Sequence, residues 1–370
     1  MDYKRYYPVV ILAVFIVFFQ CIVSIAGKTF YLTQLTMSAY YVLVVIGLCM
    51  LMGYAGQISI GHAGFFAIGG YTGAVLTTHN LAAYRGAGIV QMLMKIGILT
   101  MEKDFYGTEI IHFSPWIALG AAVIIIIVIA CLIGMPILKL KGHYLAMATL
   151  GFGSIIYRIV LGTRIFGEAD GISDVPAFRL FLNLKVSGDM SERISNYYIA
   201  WFLVIIGIII IINLINSRAG RALRSIHGNE EAANAMGVDT ARFKLLIFVL
   251  SAVYAGIGGF FLTHYNGGIG PSEASVIKSV CYVAIVAVGG MANIWGALSM
   301  GILLNFLSLR GYFGSYDDAV FGVILIVIML FAPEGILKER NVNKARDLCW
   351  RIIKYLKNKK PQRHEGTKDQ

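Results

Sequence analysis

The sequence predicts an all-α protein: a polytopic transmembrane helical bundle of about eight to ten membrane segments, some of them short or broken. Three observations carry this prediction. The 370 residues are 58% hydrophobic and only 14% charged, with a mean hydropathy of +0.74, whereas a soluble domain carries about 25% charged residues. Apolar stretches of about 20 residues recur, the length a helix needs to cross the hydrocarbon layer. The alternating segments of a membrane barrel are absent, and in lipid a helix satisfies its backbone polar groups internally.

The first apolar run, 8–27, follows Lys4 and Arg5. Its charged start and the small residues Ser24 and Ala26 fit a secretory signal as well as a first membrane helix. The many spans behind it make the helix the simpler reading. A second run covers 35–52. The glycine-dense stretch 53–65 then leads into a third run that ends near Thr78. Within the connection 80–115, residues 89–101 are apolar enough to lie along a membrane surface. Further spans follow at 116–138, 143–161, 197–215 and 243–264. Residues 277–309 are apolar but broken by Gly289-Gly290, Asn293 and Gly296. They read as a hairpin of two half-helices of about 22 Å each, short for a layer of about 30 Å. The last span runs over 319–332.

Basic residues favour the cytoplasmic connections. Residues 217–244 carry Arg218, Arg221, Arg224, Arg242 and Lys244, and the tail from Lys338 has eleven Lys or Arg against four acids. The connection 162–196 has four basic and five acidic residues, which suits the outside. With 277–309 entering and returning, both termini fall in the cytoplasm. In the tail, Ala345, Leu348, Cys349, Ile352 and Leu356 share one helical face and the basic residues lie largely elsewhere, the pattern of a helix resting on anionic lipid. The net charge of +11 therefore needs no nucleic-acid partner. The five cysteines are scattered, without CxxC or Cys/His clusters, and read as small buried hydrophobes rather than metal ligands.

The spans hold almost no acidic residues; Glu273 and Asp317 sit at span edges. Carriers and proton pumps driven by ions usually hold carboxylates at mid-membrane, so energy would come from a partner. The chain has no phosphate-binding loop of its own, since Gly27-Lys28-Thr29 lacks the earlier glycine. The connection from Ser217 offers a docking element. Residues 230–236 form a short helix of good helix formers, which Gly237 ends in the left-handed conformation. A helix of this kind fits a partner's groove.

Glu231-Ala232-Ala233-x-x-x-Gly237 resembles the coupling loop of ABC importer permeases. The chain as a whole is similar to the branched-chain amino-acid permease family, and to the M-type subunit of its paired permeases. The matching blocks are Gly53-Tyr-Ala-Gly-Gln-Ile-Ser-Ile-Gly-His-Ala-Gly-Phe-Phe, Leu140-Lys-Gly-His-Tyr-Leu-Ala-Met-Ala-Thr-Leu, Ser217 through Gly237, Lys244-Leu-Leu-Ile-Phe-Val-Leu-Ser-Ala-Val-Tyr-Ala-Gly-Ile-Gly-Gly and Phe331-Ala-Pro-Glu-Gly-Ile. They stand in the family's order and span about residues 35–337. The stretches Phe166-Gly-Glu-Ala-Asp-Gly-Ile-Ser and Gly289-Gly-Met-Ala-Asn-Ile-Trp-Gly depart from the family's pattern, and they bear on substrate rather than on transport class.

The resemblance implies a transmembrane permease domain over 1–337, a cytoplasmic coupling loop at 217–243 and a basic tail over 338–370. It implies the plasma membrane of a prokaryote, a homologous permease partner, two ATPase subunits that bind the ATP, an external substrate-binding protein, and no catalytic residue or cofactor in this chain. Glu230, Glu231, Ala232, Ala233, Gly237, Arg221 and Arg224 are the expected ATPase-coupling residues. Glycine-interrupted segments point to a transport path. Here they are 53–73 and 256–296, where Gln57, Ser59, His62, Tyr71, Tyr282 and Asn293 supply polar groups. The competing role of these residues is helix–helix packing. The expected cargo is a branched-chain or other small hydrophobic amino acid. Urea or short amides within the same family, and a channel or ion-coupled carrier working alone, are the alternatives.

Overall fold

The computed structural model describes residues 5–82, 88–95, 97–103, 109–180, 184–311 and 316–331. The expected amphipathic tail and most of the Phe331–Ile336 block lie outside these residues. Helices dominate, in the order α1 (Tyr7–Ile25), α2 (Phe30–Ala55), α3 (His62–Thr78), α4 (Gly88–Lys95), α5 (Pro115–Ile137), α6 (His143–Gly162), α7 (Arg193–Ile215), α8 (Arg218–Gly228), α9 (Glu230–Ala235), α10 (Thr240–Asn266), α11 (Val276–Gly289), α12 (Ile294–Leu309) and α13 (Asp317–Phe331). Six of them (α1, α2, α5, α6, α7 and α10) are long and apolar enough to span a membrane. The shorter α3, α11, α12 and α13 bring the apolar segments to ten, the upper end of the expected range. This is a multi-pass membrane protein.

Helix α2 is the axis of the bundle. From Leu35 to Met52 nearly every side chain is buried, because α10, α12, α7 and α11 all pack around it. By contrast α1 leaves Val10, Val14, Phe15 and Phe18 outward, a lipid-type surface. Pro8 in its first turn and Pro115 in the first turn of α5 are tolerated because those backbone N–H groups lack helical partners in any case.

The α3–α10 contact is the tightest in the bundle. A Cβ on Gly69 would lie 2.1 Å from the Gly256 carbonyl oxygen, and one on Gly259 would lie 2.0 Å from that of Phe66. Small residues here let two backbones touch, which is how helices associate where lipid offers no hydrophobic drive. Of the glycine-interrupted stretch 256–296, the first part is continuous helix: α10 runs unbroken through Gly256, Gly258 and Gly259 to Asn266, as the 243–264 span predicts. The breaks lie elsewhere, at 56–61 between α2 and α3 and at 290–293 between α11 and α12. These two breaks are neighbours. The Cys49 thiol donates to the Met291 carbonyl (3.3 Å), the Tyr54 hydroxyl donates to that of Ala292 (3.0 Å), and Gly53 leaves room for the Met291 backbone.

Two further features were not expected. Strands β1 (Leu99–Lys103) and β2 (Glu109–Phe113) form an antiparallel hairpin where a surface stretch over 89–101 was foreseen; only its first part is helical, as α4. Leu99 and Ile111 bury each other against Leu81 and Leu93, and the Asn80 side chain accepts from the Ala82 and Ile111 N–H groups, fastening the hairpin to the end of α3. The pair β3 (Phe178–Arg179) and β4 (Lys185–Val186) seats Phe178 against Trp116, Phe260, Phe261 and His264. These elements are all at the end of the bundle opposite α8 and α9.

Candidate functional site

Helices α8, α9 and α10 each begin on a side-chain cap, three in succession. Ser217 accepts from the N–H groups of Ala219 and Gly220, Asn229 from that of Ala232 (3.0 Å), and Asp239 from that of Arg242 (3.1 Å). Each satisfies a first-turn donor that the helix cannot satisfy itself. Gly237 closes α9 at φ +84°, as the sequence predicts. Its N–H and that of Val238 return to the carbonyls of Asn234 and Ala233.

The expected coupling residues occupy distinct places. Glu230, the first residue of α9, receives two hydrogen bonds from the Lys244 ammonium (2.9 and 3.1 Å), and Lys244 also donates to the Leu138 carbonyl at the end of α5 (3.1 Å). The Lys244 side chain is only 7% exposed. Glu231 accepts from Lys141 at 2.9 Å, on the surface. Ala233 turns inward and is buried, whereas Glu231, Ala232, Asn234, Ala235 and Met236 face solvent, Met236 at 86% exposure. In α8, Arg224 donates to the Ile215 carbonyl at the end of α7 (2.8 Å), Arg221 is exposed, and Leu223 and Ile226 are buried. The α8–α9 unit is thus fastened to the ends of α5, α7 and α10. It also reaches α2, because His227 approaches so closely that a Cβ on Gly56 would lie 2.8 Å from its Nδ1. Gly56 is the left-handed residue that opens the 56–61 break.

The Lys141–Glu231 hydrogen bond holds the Glu231 carboxyl below the usual carboxylate range and the Lys141 ammonium above the usual lysine value. For Glu231 the contribution is present above the ordinary carboxylate value and is lost as pH falls through the lowered one. For Lys141 it is present below the ordinary lysine value and is lost as pH rises through the raised one. The contact therefore acts across the neutral range. Both groups are exposed, so salt screens it. Lys141→Gln, or high salt, is expected to speed amide hydrogen exchange over Ala232–Ala235 and to leave the thermal midpoint of the chain unchanged. Unaltered exchange would mean that Glu230–Lys244 positions α9 unaided.

The expected path residues fall into three groups rather than one. Ser59 and His62 stand together at the start of α3. Ser251 of α10 donates to the Phe248 carbonyl (3.0 Å), so it accepts from His62 Nε2–H (2.9 Å), and Nδ1 accepts from the Ser59 hydroxyl (3.0 Å). Both ring nitrogens are occupied and His62 is 1% exposed. Gln57, in the 56–61 break, is buried with neither amide atom hydrogen-bonded. Asn293 belongs to the other break, where its side chain accepts from Gly296 N–H and caps α12. Tyr71 and Tyr282 make the third group, with buried hydroxyls that lack partners. Sequence alone does not single out Lys141, Ser251 or Lys278; it places Glu273 only at a span edge and counts Lys244 for its charge. A basic residue in the first turn of a largely apolar helix, as Lys278 is in α11, was the available signal.

The family described as branched-chain amino acid transport system / permease component matches residues 30–330. The chain belongs to this family. The match begins at the first residue of α2, so α1 precedes the shared core. The high-affinity branched-chain amino acid transport system permease protein LivM of Salmonella typhimurium is 29% identical over 324 residues, 82% of this chain and 68% of that one. BraD of Pseudomonas aeruginosa is 28% identical over 317 residues, covering 84% and 95% of the two chains. LivH of Escherichia coli is 27% identical over 327 residues, covering 84% and 94%. No solved structure matches. The chain is a transport permease component, and the matched residues cover the α2–α13 bundle that carries both breaks and the α8–α9 unit.

Proposed function

We propose that this permease is one membrane subunit of an ATP-driven importer, and that α9 is where the ATPase subunit docks. The observation that carries this reading is the presentation of α9. It is held at two acidic residues while Ala232, Ala235 and Met236 face outward, a small apolar surface at the extremity of the bundle. A short helix projecting this way suits a partner's groove, and the chain lacks a nucleotide-binding loop of its own. The α8–α9 end then faces the cytoplasm of a prokaryotic cell, consistent with Arg218, Arg221, Arg224 and Arg242. ATP is bound and hydrolysed on two partner subunits. An external binding protein delivers substrate at the opposite end, and a homologous permease completes the path. The cargo is a branched-chain or other small hydrophobic amino acid, the substrate named for the relatives.

Within this scheme Glu231, Ala232 and Met236 meet the ATPase, while Glu230, Ala233, Arg224 and Gly237 shape the helix that does so. Gln57, Ser59 and Asn293 belong to the breaks that move when α8 pushes on Gly56, and His62 opens the helix after the first of them. The test is recovery of ATPase subunits with the chain from mildly solubilised membranes, identified by mass spectrometry. Glu231→Arg reverses the charge facing Lys141, and Gly237→Pro demands a φ near −65° where the backbone stands at +84°. Both are expected to lose the ATPase. Transport by the purified chain in vesicles without ATP, with no ATPase recovered, would instead make it a carrier or channel working alone.

A further inference from the structure

A 3-10 turn, Pro271–Ala274, follows the end of α10 opposite the coupling helix, about 40 Å along its axis. It carries Glu273, whose side chain is 18% exposed. One carboxylate oxygen accepts from the Tyr41 hydroxyl (2.9 Å) and from the Lys278 ammonium (3.4 Å). The Lys278 ammonium also stands 4.7 Å from the centre of the Tyr41 ring. The other carboxylate oxygen is buried and has no hydrogen-bond partner. The same is true of the hydroxyls of Tyr71 on α3 and Tyr282 on α11; both helices pack against the Pro271–Ala274 turn, and the Tyr282 ring lies 6.3 Å from that of Tyr41.

Buried polar atoms are nearly always paired. Here three unpaired ones, brought from the turn, α3 and α11, gather around a single ion pair. The group is not sealed in the core: the Lys278 side chain is 37% exposed, and Ile277 and Val280 beside it on α11 face outward. The coupling machinery uses none of these residues.

The chemistry of the unpaired atoms selects the ligand. A free carboxylate oxygen accepts from an ammonium, while a lysine ammonium and tyrosine hydroxyls donate to a carboxylate. Urea or a short amide carries no charge to set against either group. We propose that Glu273, Lys278, Tyr71 and Tyr282 bind the charged head of a zwitterionic α-amino acid at the mouth of the path, with Tyr41 orienting the Glu273 carboxylate. This inference rests on the importer reading above and narrows its substrate to amino acids over neutral amides.

The experiment uses the assembly recovered in the pull-down, reconstituted in proteoliposomes and assayed with radiolabelled leucine. Tyr71→Phe and Tyr282→Phe remove only hydroxyls without protein partners, so membrane abundance and thermal midpoint should not change. The KM for leucine should rise about tenfold for each, as for loss of a hydrogen bond to a charged group. Glu273→Gln should abolish uptake, and reversing the pair (Glu273→Lys with Lys278→Glu) should not restore it. A parental KM in both phenylalanine variants would mean that these hydroxyls face water alone, and would overturn the proposal. Recovery of uptake in the reversed pair would overturn it too, by making the ion pair structural. A parental assembly that recovers its ATPase but carries no α-amino acid would refute the ligand proposed here and leave the importer reading standing, whereas uptake without ATP or ATPase would refute that reading itself.

Discussion

Lys244→Met is expected to reduce ATP-driven uptake at least tenfold while leaving most of the chain folded in the membrane. Lys244 joins the first residue of the coupling helix to the end of α5 through Glu230 and the Leu138 carbonyl. Removing one partner of a buried ion pair costs about 3–5 kcal/mol. Glu230, however, is 31% exposed, so water recovers part of that, leaving roughly 2 kcal/mol. A loss of this size falls on α9 and its connection, where the remaining ion pair, Lys141–Glu231, is a surface contact. An α9 released at Glu230 would still meet the ATPase but would transmit less of its motion to α5 and α10. The expected signature is ATP hydrolysis that continues while substrate no longer stimulates it. Uptake and substrate-stimulated hydrolysis in the same proteoliposomes measure this, with membrane abundance as the control. Parental coupling in Lys244→Met would show that the latch is dispensable.

Gly69→Leu should have the largest effect on stability. The added Cβ would meet the backbone of Gly256, with the carbonyl oxygen at 2.1 Å and carbon atoms at 2.6 Å. No side-chain rotation relieves a clash with backbone, so α3 and α10 must separate along their whole contact. Overpacking in a core costs about 1–3 kcal/mol even where side chains can yield. The midpoint of thermal aggregation, read by size-exclusion chromatography, should fall by roughly 5 °C or more, or the monodisperse peak should vanish. Gly120→Leu on α5 is the control, since nothing lies within 4 Å of the Cβ it would carry. Equal behaviour of the two variants would refute close α3–α10 contact as the basis of the bundle.

Much of the fold was legible in the sequence because a membrane helix is a one-dimensional object. Its length follows from bilayer thickness and its hydrogen bonds are local, so runs such as 143–161 and 243–264 landed within a few residues of α6 and α10. The coupling helix was legible for the same reason: its helix formers and the left-handed Gly237 that ends it lie within eight residues. Helix α8 was missed because four of its eleven residues are Arg or His, and its stability comes from Leu223 and Ile226 set against the bundle. The β1–β2 hairpin was missed because its small core forms only when Leu81 and Leu93 close over it.

The sequence by itself determined the membrane class, the order of the helices, the two places where the chain is broken or short, and the resemblance to the permease family, all properties of contiguous residues. Tertiary structure alone decided what each polar or small residue does, because those roles depend on partners far away in the chain. Gly69 and Gly256 are contact points rather than breaks, apposed although 187 residues apart in sequence. His62 is satisfied by Ser251, 189 residues on. Glu273 meets Tyr41 across 232 residues. In a largely apolar bundle the few polar groups must find one another to be buried at acceptable cost, and only the packed helices reveal which of them did and which were left for a ligand.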